Sequence, residues 1–494
     1  MGLRMVKGPT ERVVVVGAGL GGLSTALRLV GAGRDVTVLE REAVPGGRAG
    51  VRHDLGYTFD TGPTVLTMPD LIEDAFACVG ERMSDWLALT ALNPLYRANF
   101  ADGSQLDVHG DPQAMADEIR NVCGPREAQG YQRFTEFMAK LYRYEMADFI
   151  DRNIDSPFSL LTPNLARLVA LGGFRRLAPK VASFLSDHRT QKVFSFQAMY
   201  AGVSPQEALA LYAIISYMDT VSGVYFPAGG LHSVPVALAD AAVKHGVRFR
   251  YNTEVTKVEM SGRRATGVIT SDGERVPADV VVLNPDLPIA YRDLLGRTPR
   301  SHRRLRYSPS CFLMLAGSSA DYPGLAHHNI HFGDSWRETF RDLLDRRCLM
   351  RDPSFLVTAP SRSDPSLAPE RRHTYYVLLP TPNLRSELDW DRIGPGYRDQ
   401  VVHLLEKSGY SGFGSSIEVE HITTPADWAR RGMAEGTPFA AAHLFTQTGP
   451  FRPGNLFGDN VVFTGSGTRP GVGVPMVLIS GRLAAERVLG PGVR

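Results

Sequence analysis

The sequence predicts an α/β protein. A parallel-sheet domain, discontinuous in sequence, is joined to a mixed α+β domain carrying a helical portion. Three observations predict this. The chain opens with strand, glycine turn, helix and strand within about 30 residues. It closes with a strand, a second glycine-rich turn and a helix. Between them, a helical stretch gives way to short β-branched runs and then to mixed signals.

Arg12–Val16 is an apolar run ending at Gly17, as expected of a buried parallel strand. Leu20–Val30 reads as a helix closed by Gly31 and Gly33, and Asp35–Glu40 as the next strand. Residues 70–220 read as mostly helical, with Pro and Gly punctuation. Val247–Tyr251, Val255–Met260, Ala265–Thr270 and Val276–Leu283 read as short strands, with Ser271-Asp272-Gly273 as a hairpin turn. Further strands are expected at Cys311–Leu315, Tyr375–Leu379 and Ser416–His421, among helical stretches and prolines. Val461–Thr464 is a strand, and Pro475 starts the last helix, where its missing N–H costs nothing. The expected division is 10–75, 222–295 and 455–494 for the first domain, and 76–221 and 296–454 for the second.

Composition excludes several classes. Among 494 residues, Lys+Arg total 54 against Asp+Glu 52, a net charge of +2 that excludes a general nucleic-acid binder. Cys78, Cys123, Cys311 and Cys348 are far apart, so neither a metal site nor a disulfide framework is expected. Met1–Thr10 has no apolar signal region, Val6 breaks the myristoylation pattern, and no apolar run reaches about 18 residues. The expectation is a cytoplasmic protein touching membrane only peripherally.

Gly17-Ala18-Gly19-Leu20-Gly21-Gly22 carries G-x-G-x-x-G in its required place, after a strand and opening a helix. Gly17 permits the turn, Gly19 lets the backbone approach a pyrophosphate, and Gly22 lets helix and strand pack closely. The helix N-terminus offers N–H groups to phosphate oxygens. Glu40 ends the next strand, positioned for ribose hydroxyls. Then comes Gly46-Gly47-Arg48, which is not part of an NAD fingerprint and sets a guanidinium beside the pyrophosphate. Strand, G-x-G-x-x-G, Glu and then G-G-R resembles the FAD-binding start of the amine-oxidase and desaturase flavoproteins, which implies a Rossmann-like FAD-binding domain. The terminal turn agrees, with Gly465, Gly467, Gly471 and Gly473 leading into the last helix. Such a flat backbone can lie against an isoalloxazine ring.

Asp60-Thr61-Gly62-Pro63-Thr64, the block Gly223–Gly230, Asn284-Pro285-Asp286, Ala326-His327-His328, Tyr375–Leu378 and the terminal turn together resemble the bacterial-type phytoene desaturases. These are FAD-dependent carotenoid desaturases of the amine-oxidase-like flavoprotein superfamily. The resemblance runs from about residue 11 to 490, with Arg469 standing where the family has His and Pro285 where it has Ala. It implies FAD-dependent introduction of double bonds into a linear C40 polyene, phytoene, through to lycopene or an intermediate. It extends the expected cofactor contacts to Gly62, Pro63, Thr64, Val255 and Val474. Other substrates of the wider family are C30 or oxygenated carotenoids, and its distant members include isomerases. A flavin amine oxidase is disfavoured by the Gly223–Gly230 block. A non-catalytic prenyl-lipid carrier would have no use for Glu40, Arg48 and the terminal glycines.

A hydrocarbon substrate calls for a long apolar channel. Candidate lining residues are Phe194, Phe196, Met199, Tyr200, Leu211, Tyr212, Tyr217 and Tyr225, all of them types that ordinary cores also bury. Hydride would pass to flavin N5. Asp219 aligns with a family acid and is the candidate to accept the proton or stabilise the cation, against a plain capping or pairing role. No second dinucleotide fingerprint follows a strand, so quinone or oxygen is the expected electron acceptor. Ser156–Ser186 has no acidic residue, four basic ones (Arg167, Arg175, Arg176, Lys180) and many apolar ones, as expected of an interfacial segment broken at Gly172-Gly173.

Overall fold

The computed structural model describes residues 3–492. Its first sheet has six strands, in the order Leu456–Phe457, Val461–Phe463, Val280–Leu283, Arg12–Val16, Asp35–Leu39, Arg248–Arg250. All pair in parallel except the edge strand Leu456–Phe457. The unbroken valine runs follow from burial on both faces. Val13, Val15, Val36, Val38 and Val280 pack under the helices Leu20–Gly31, Ser233–Lys244 and Val474–Leu489. Val14, Val16, Val281 and Phe463 face the small sheet of Val255–Ser261, Arg264–Thr270 and Arg275–Pro277. The first and last helices touch where Gly481 meets Ser24; an added Cβ would lie 2.6 Å from the Ser24 Cβ.

The second sheet has seven strands, in the order Ile417–Thr423, Ser310–Ser318, His373–Thr381, Phe355–Thr358, His328–Phe332, Tyr96–Phe100, Gln105–Val108. It is antiparallel apart from the pair His328–Phe332 with Tyr96–Phe100. The helices Pro112–Cys123 and Pro125–Glu145 share a core with Tyr96–Phe100 and Phe194.

Two expectations need correction. The 70–220 region is not simply helical: it supplies Leu89–Ala91, Tyr96–Phe100 and Gln105–Val108 as strands. Tyr96–Phe100 alternates buried and half-buried residues, a two-residue period that helical punctuation on either side obscures. Val276–Leu283 is not one strand but the ends of two sheets, Arg275–Pro277 and Val280–Leu283. Pro277 offers no N–H to continue a ladder, and Asp279 turns aside to accept the Arg12 N–H at 3.0 Å. Elsewhere the strand and helix positions agree within a few residues. The 156–186 segment forms helices Pro163–Leu171 and Leu177–Ala182, with Gly172 in the left-handed region at φ 81° ending the first.

Candidate active site

The glycine turns converge through backbone contacts. Gly17 takes φ 96°, and a Cβ on Gly22 would overlap the Gly17 carbonyl oxygen. The helix that follows has no side-chain cap and no acid in its first turn, so its N–H groups stay available. Glu40 is buried. Its Oε2 accepts the Ala18 N–H at 2.6 Å and its Oε1 the Glu42 N–H at 3.0 Å, so it also fixes the turn. Burial raises its pKa above the ordinary carboxylate value, against those two hydrogen bonds.

Gly46 donates its N–H to the Ala18 carbonyl at 2.9 Å, which lays Gly46-Gly47 along Gly19. An added Cβ on Gly47 would come within 3.3 Å of the Gly19 Cα. Arg48 Nη1 donates to Ser466 Oγ, and its Nη2 lies 3.8 Å from Asp286 Oδ2. Its Nε is buried without a protein partner. The early loop is pinned from two sides. Asp60 accepts the Leu231 and His232 N–H groups at 2.8 and 3.0 Å, and Tyr376 Oη donates to the Gly62 carbonyl at 2.8 Å. Burial raises Asp60 to about 6.

All of the expected cofactor residues except Gly22, Gly467 and Gly471 line one cavity of about 1690 Å³. Gly17, Gly19, Glu40, Gly46, Gly47, Arg48, Gly62, Pro63, Thr64, Val255, Gly465, Gly473 and Val474 are all in its walls. The three exceptions stand behind the wall and shape it. Beyond the Gly22 contact above, a Cβ on Gly467 would sit 2.6 Å from the Leu287 Cβ, and one on Gly471 would strike the His443 ring. Val474–Leu489 opens at this cavity with no side-chain cap.

The same cavity takes in Phe196, Met199, Tyr200, Leu211 and Tyr212 of the expected channel. Phe194, Tyr217 and Tyr225 do not line it. Phe194 packs on Tyr131 and Phe134, and Tyr217 stacks on Tyr142. Asp219 lies in the last turn of the helix Ala213–Thr220 and lines the cavity, so it is not a helix N-cap. Burial pushes its carboxyl up to about 7, against a hydrogen bond from Gln197.

Several residues of the site were not legible beforehand. Glu145 lines the cavity, fully buried, with Oε1 unpartnered; burial alone raises it well above the ordinary value. It ends the helix Pro125–Glu145 where the backbone loosens into a π-turn at Met146–Ile150. Buried Arg452 donates to the Thr468 and Ser466 carbonyls at 3.0 and 2.7 Å, bracing the terminal turn from behind. Arg469, the departure from the family pattern, donates to the Ile154 and Pro450 carbonyls and so ties that turn to its neighbours. Phe445 and Phe451 line the cavity while each is 54% exposed.

Paired glycine turns at the strand ends of a parallel sheet, opening on a largely apolar cavity, define a flavoprotein oxidoreductase. The flavin containing amine oxidoreductase family matches residues 20–489. The phytoene dehydrogenase of Streptomyces griseus is 56% identical over 493 residues, covering 99% of this chain and 97% of the relative. A zeta-carotene-forming phytoene desaturase of Myxococcus xanthus is 40% identical over 490 residues, covering 97% and 94%. An oxidoreductase structure from Methanosarcina mazei shares the fold, with TM-score 0.60, 17% identity, and 95% and 98% coverage. The chain belongs to the flavin-containing amine oxidoreductases and, within them, to the bacterial phytoene-desaturase type. Its cofactor is FAD. The residues fit that group. A Cβ would fill the cradle at Gly47, and Arg48 Nε, on a cavity-lining residue, is buried with no protein partner.

Proposed function

We propose that this chain desaturates a linear C40 carotenoid precursor, phytoene or its partly desaturated products, in carotenoid biosynthesis. The observation that carries this reading is the shared cavity. One continuous wall runs from the glycine turns to Phe196, Met199, Leu211 and Tyr212. A polyene has nothing to hydrogen-bond, so shape and dispersion must hold it.

In this reading Gly17, Gly19, Gly46, Gly47 and Arg48 hold the pyrophosphate, and Glu40 the ribose. Gly62, Pro63, Thr64, Val255, Gly465, Gly473 and Val474 border the rest of the cofactor, with Gly22, Gly467 and Gly471 shaping the turns. Bound FAD supplies the hydride acceptor. The apolar walls exclude water and align the chain. Asp219, its proton affinity matched to neutral pH, accepts the proton from the carbon next to the one oxidised. The division at 10–75, 222–295 and 455–494 against 76–221 and 296–454 is supported by the sheets: the six-stranded one draws only on the first set, the seven-stranded one only on the second.

The reading extends to a peripheral contact with the cell membrane from the cytoplasm, and to quinone or oxygen as electron acceptor. Phe158, Leu161 and Val169 are 80, 73 and 60% exposed beside basic Arg167, Arg175 and Arg176. Leu161, Phe174, Phe445 and Phe451 are both exposed and cavity-lining, which supports an apolar mouth at a lipid surface. Among the described residues no helix is long and apolar enough to cross a membrane. A Phe174→Asp, Arg175→Glu variant should lose co-sedimentation with anionic liposomes; unchanged pelleting would refute the contact.

The functional test is expression in a host that makes only phytoene. Pigment that has lost hydrogens, seen by mass and visible absorption, is the expected result. Unchanged phytoene beside folded, flavin-bound protein would overturn phytoene desaturation in favour of another polyene or an isomerase. Folded, flavin-free protein would favour a carrier.

A further inference from the structure

Beside the main cavity lies a second, enclosed void of about 10 Å³. Asp219 belongs to both. The other polar walls of the void are Tyr96, Tyr200 and His328, set among apolar Val65 and Ile330. Tyr96 and His328 are 4% and 1% exposed. Tyr96 Oη and His328 Nε2 are both buried without a well-formed hydrogen bond, Tyr96 having a contact with Gln197 that falls short of ordinary geometry. His328 is already oriented: its Nδ1 shares a hydrogen bond with Thr358 Oγ1 at 2.8 Å. That leaves Nε2 free to serve the void.

Two orphaned polar atoms, a carboxylate and a phenol around one small space are hard to explain as packing. A buried polar group left unpaired gives up its bonds to water and gains none in return. The void is about the size that holds one water, and a buried water makes two to four hydrogen bonds. The substrate cannot substitute, since a polyene offers no donor or acceptor.

We propose that one ordered water occupies this void, bonded to Tyr96 Oη and His328 Nε2, and donates a hydrogen bond that holds the Asp219 carboxylate in place for the substrate. The proposal rests on the reading of Asp219 as proton acceptor. In the step, a substrate C–H bond breaks and its electron pair becomes the new π bond. The proton goes to Asp219. Asp219 then releases it to solvent through the main cavity, which it also lines. Every group facing Asp219 here is uncharged in its ordinary state: Tyr96, Tyr200, Gln197 and the imidazole of His328. Burial disfavours a charge on His328, so its Nε2 accepts a hydrogen bond from the water and takes no proton.

Two measurements on the FAD holoenzyme test this. The first is a high-resolution crystal structure, where density for a water within hydrogen-bond distance of both Tyr96 Oη and His328 Nε2 is expected. An empty void would overturn the site. The second is infrared titration of the Asp219 carboxyl, identified by the band lost in Asp219→Asn. Tyr96→Phe removes one hydroxyl and leaves the ring. It should shift the Asp219 midpoint upward by about one pH unit, because the water loses an anchor beside the carboxylate. No shift would overturn the link between water and Asp219. If Asp219→Asn turns over like the parent while the water is present, the parent reading of Asp219 fails and the water's role with it. If Asp219→Asn is slow but Tyr96→Phe matches the parent in both turnover and titration, only the water's role fails.

Discussion

The glycine turns on the six-stranded sheet and the apolar walls line one cavity, yet different physics holds each. The turns are fixed by backbone geometry: Gly17 at φ 96°, Gly46 at 123°, Gly465 at 97°, and close approaches that forbid a side chain. The walls are fixed by side-chain shape, and the polar groups among them (Asp219, Glu145, His443) pay for burial with shifted proton affinities. Backbone constraints tolerate almost no substitution, whereas apolar walls tolerate many of similar volume. The first region should therefore fail abruptly on mutation and the second by degrees.

The largest effect is expected at Gly62. A methyl group there would overlap the Arg48 carbonyl oxygen, so the loop must move. Gly62→Ala should cost about 3 kcal/mol and yield flavin-poor protein, read by flavin-to-protein absorbance ratio and thermal melting. Full flavin content would break the contrast. Next comes Asp219→Asn, which keeps shape but removes the base. Turnover should fall about 100-fold with flavin content unchanged. In the parent, turnover should rise with pH through about 7, as the raised carboxyl ionises, and Asp219→Asn should flatten that limb.

Arg48→Ala should be milder. It removes the links to Ser466 and Asp286 and the proposed pyrophosphate contact, weakening FAD by roughly tenfold, about 1.4 kcal/mol, in a flavin titration. The smallest effect is expected from Glu145→Gln and concerns pH. Burial raises the Glu145 pKa above its unfolded value, so its contribution is complete below the unfolded pKa and is lost as pH rises toward the folded one. Parent stability should decline with pH above the ordinary carboxylate range by up to roughly 1.4 kcal/mol per unit, and less in Glu145→Gln. Equal slopes in chemical denaturation would place the burden elsewhere.

The same difference decides what could be read in the sequence. Gly17 to Gly22, Glu40 and Gly46 to Arg48 were legible because a backbone demand selects one residue type at a fixed spacing. Phe196, Met199, Tyr200, Leu211 and Tyr212 fell on the cavity, but Phe194 fell in the core beside Tyr131, because an apolar residue looks alike in either place. Glu145 gave no signal: it is one acid among several near a helix end, and only the fold shows it buried. Val276–Leu283 misread as one strand because composition cannot show Asp279 turning toward Arg12. The absence of acids in Ser156–Ser186 was legible as a basic, apolar surface, whereas the exposure of Phe445 and Phe451 at the cavity shows only in the fold.

The central claim is that one cavity presents a hydrocarbon to the bound cofactor. The most direct test is to mix oxidised holoenzyme anaerobically with phytoene in liposomes, following the flavin absorbance band and the product mass together. The account predicts bleaching of the band with matching formation of product two hydrogens lighter. A band that stays oxidised while phytoene remains unchanged would contradict it.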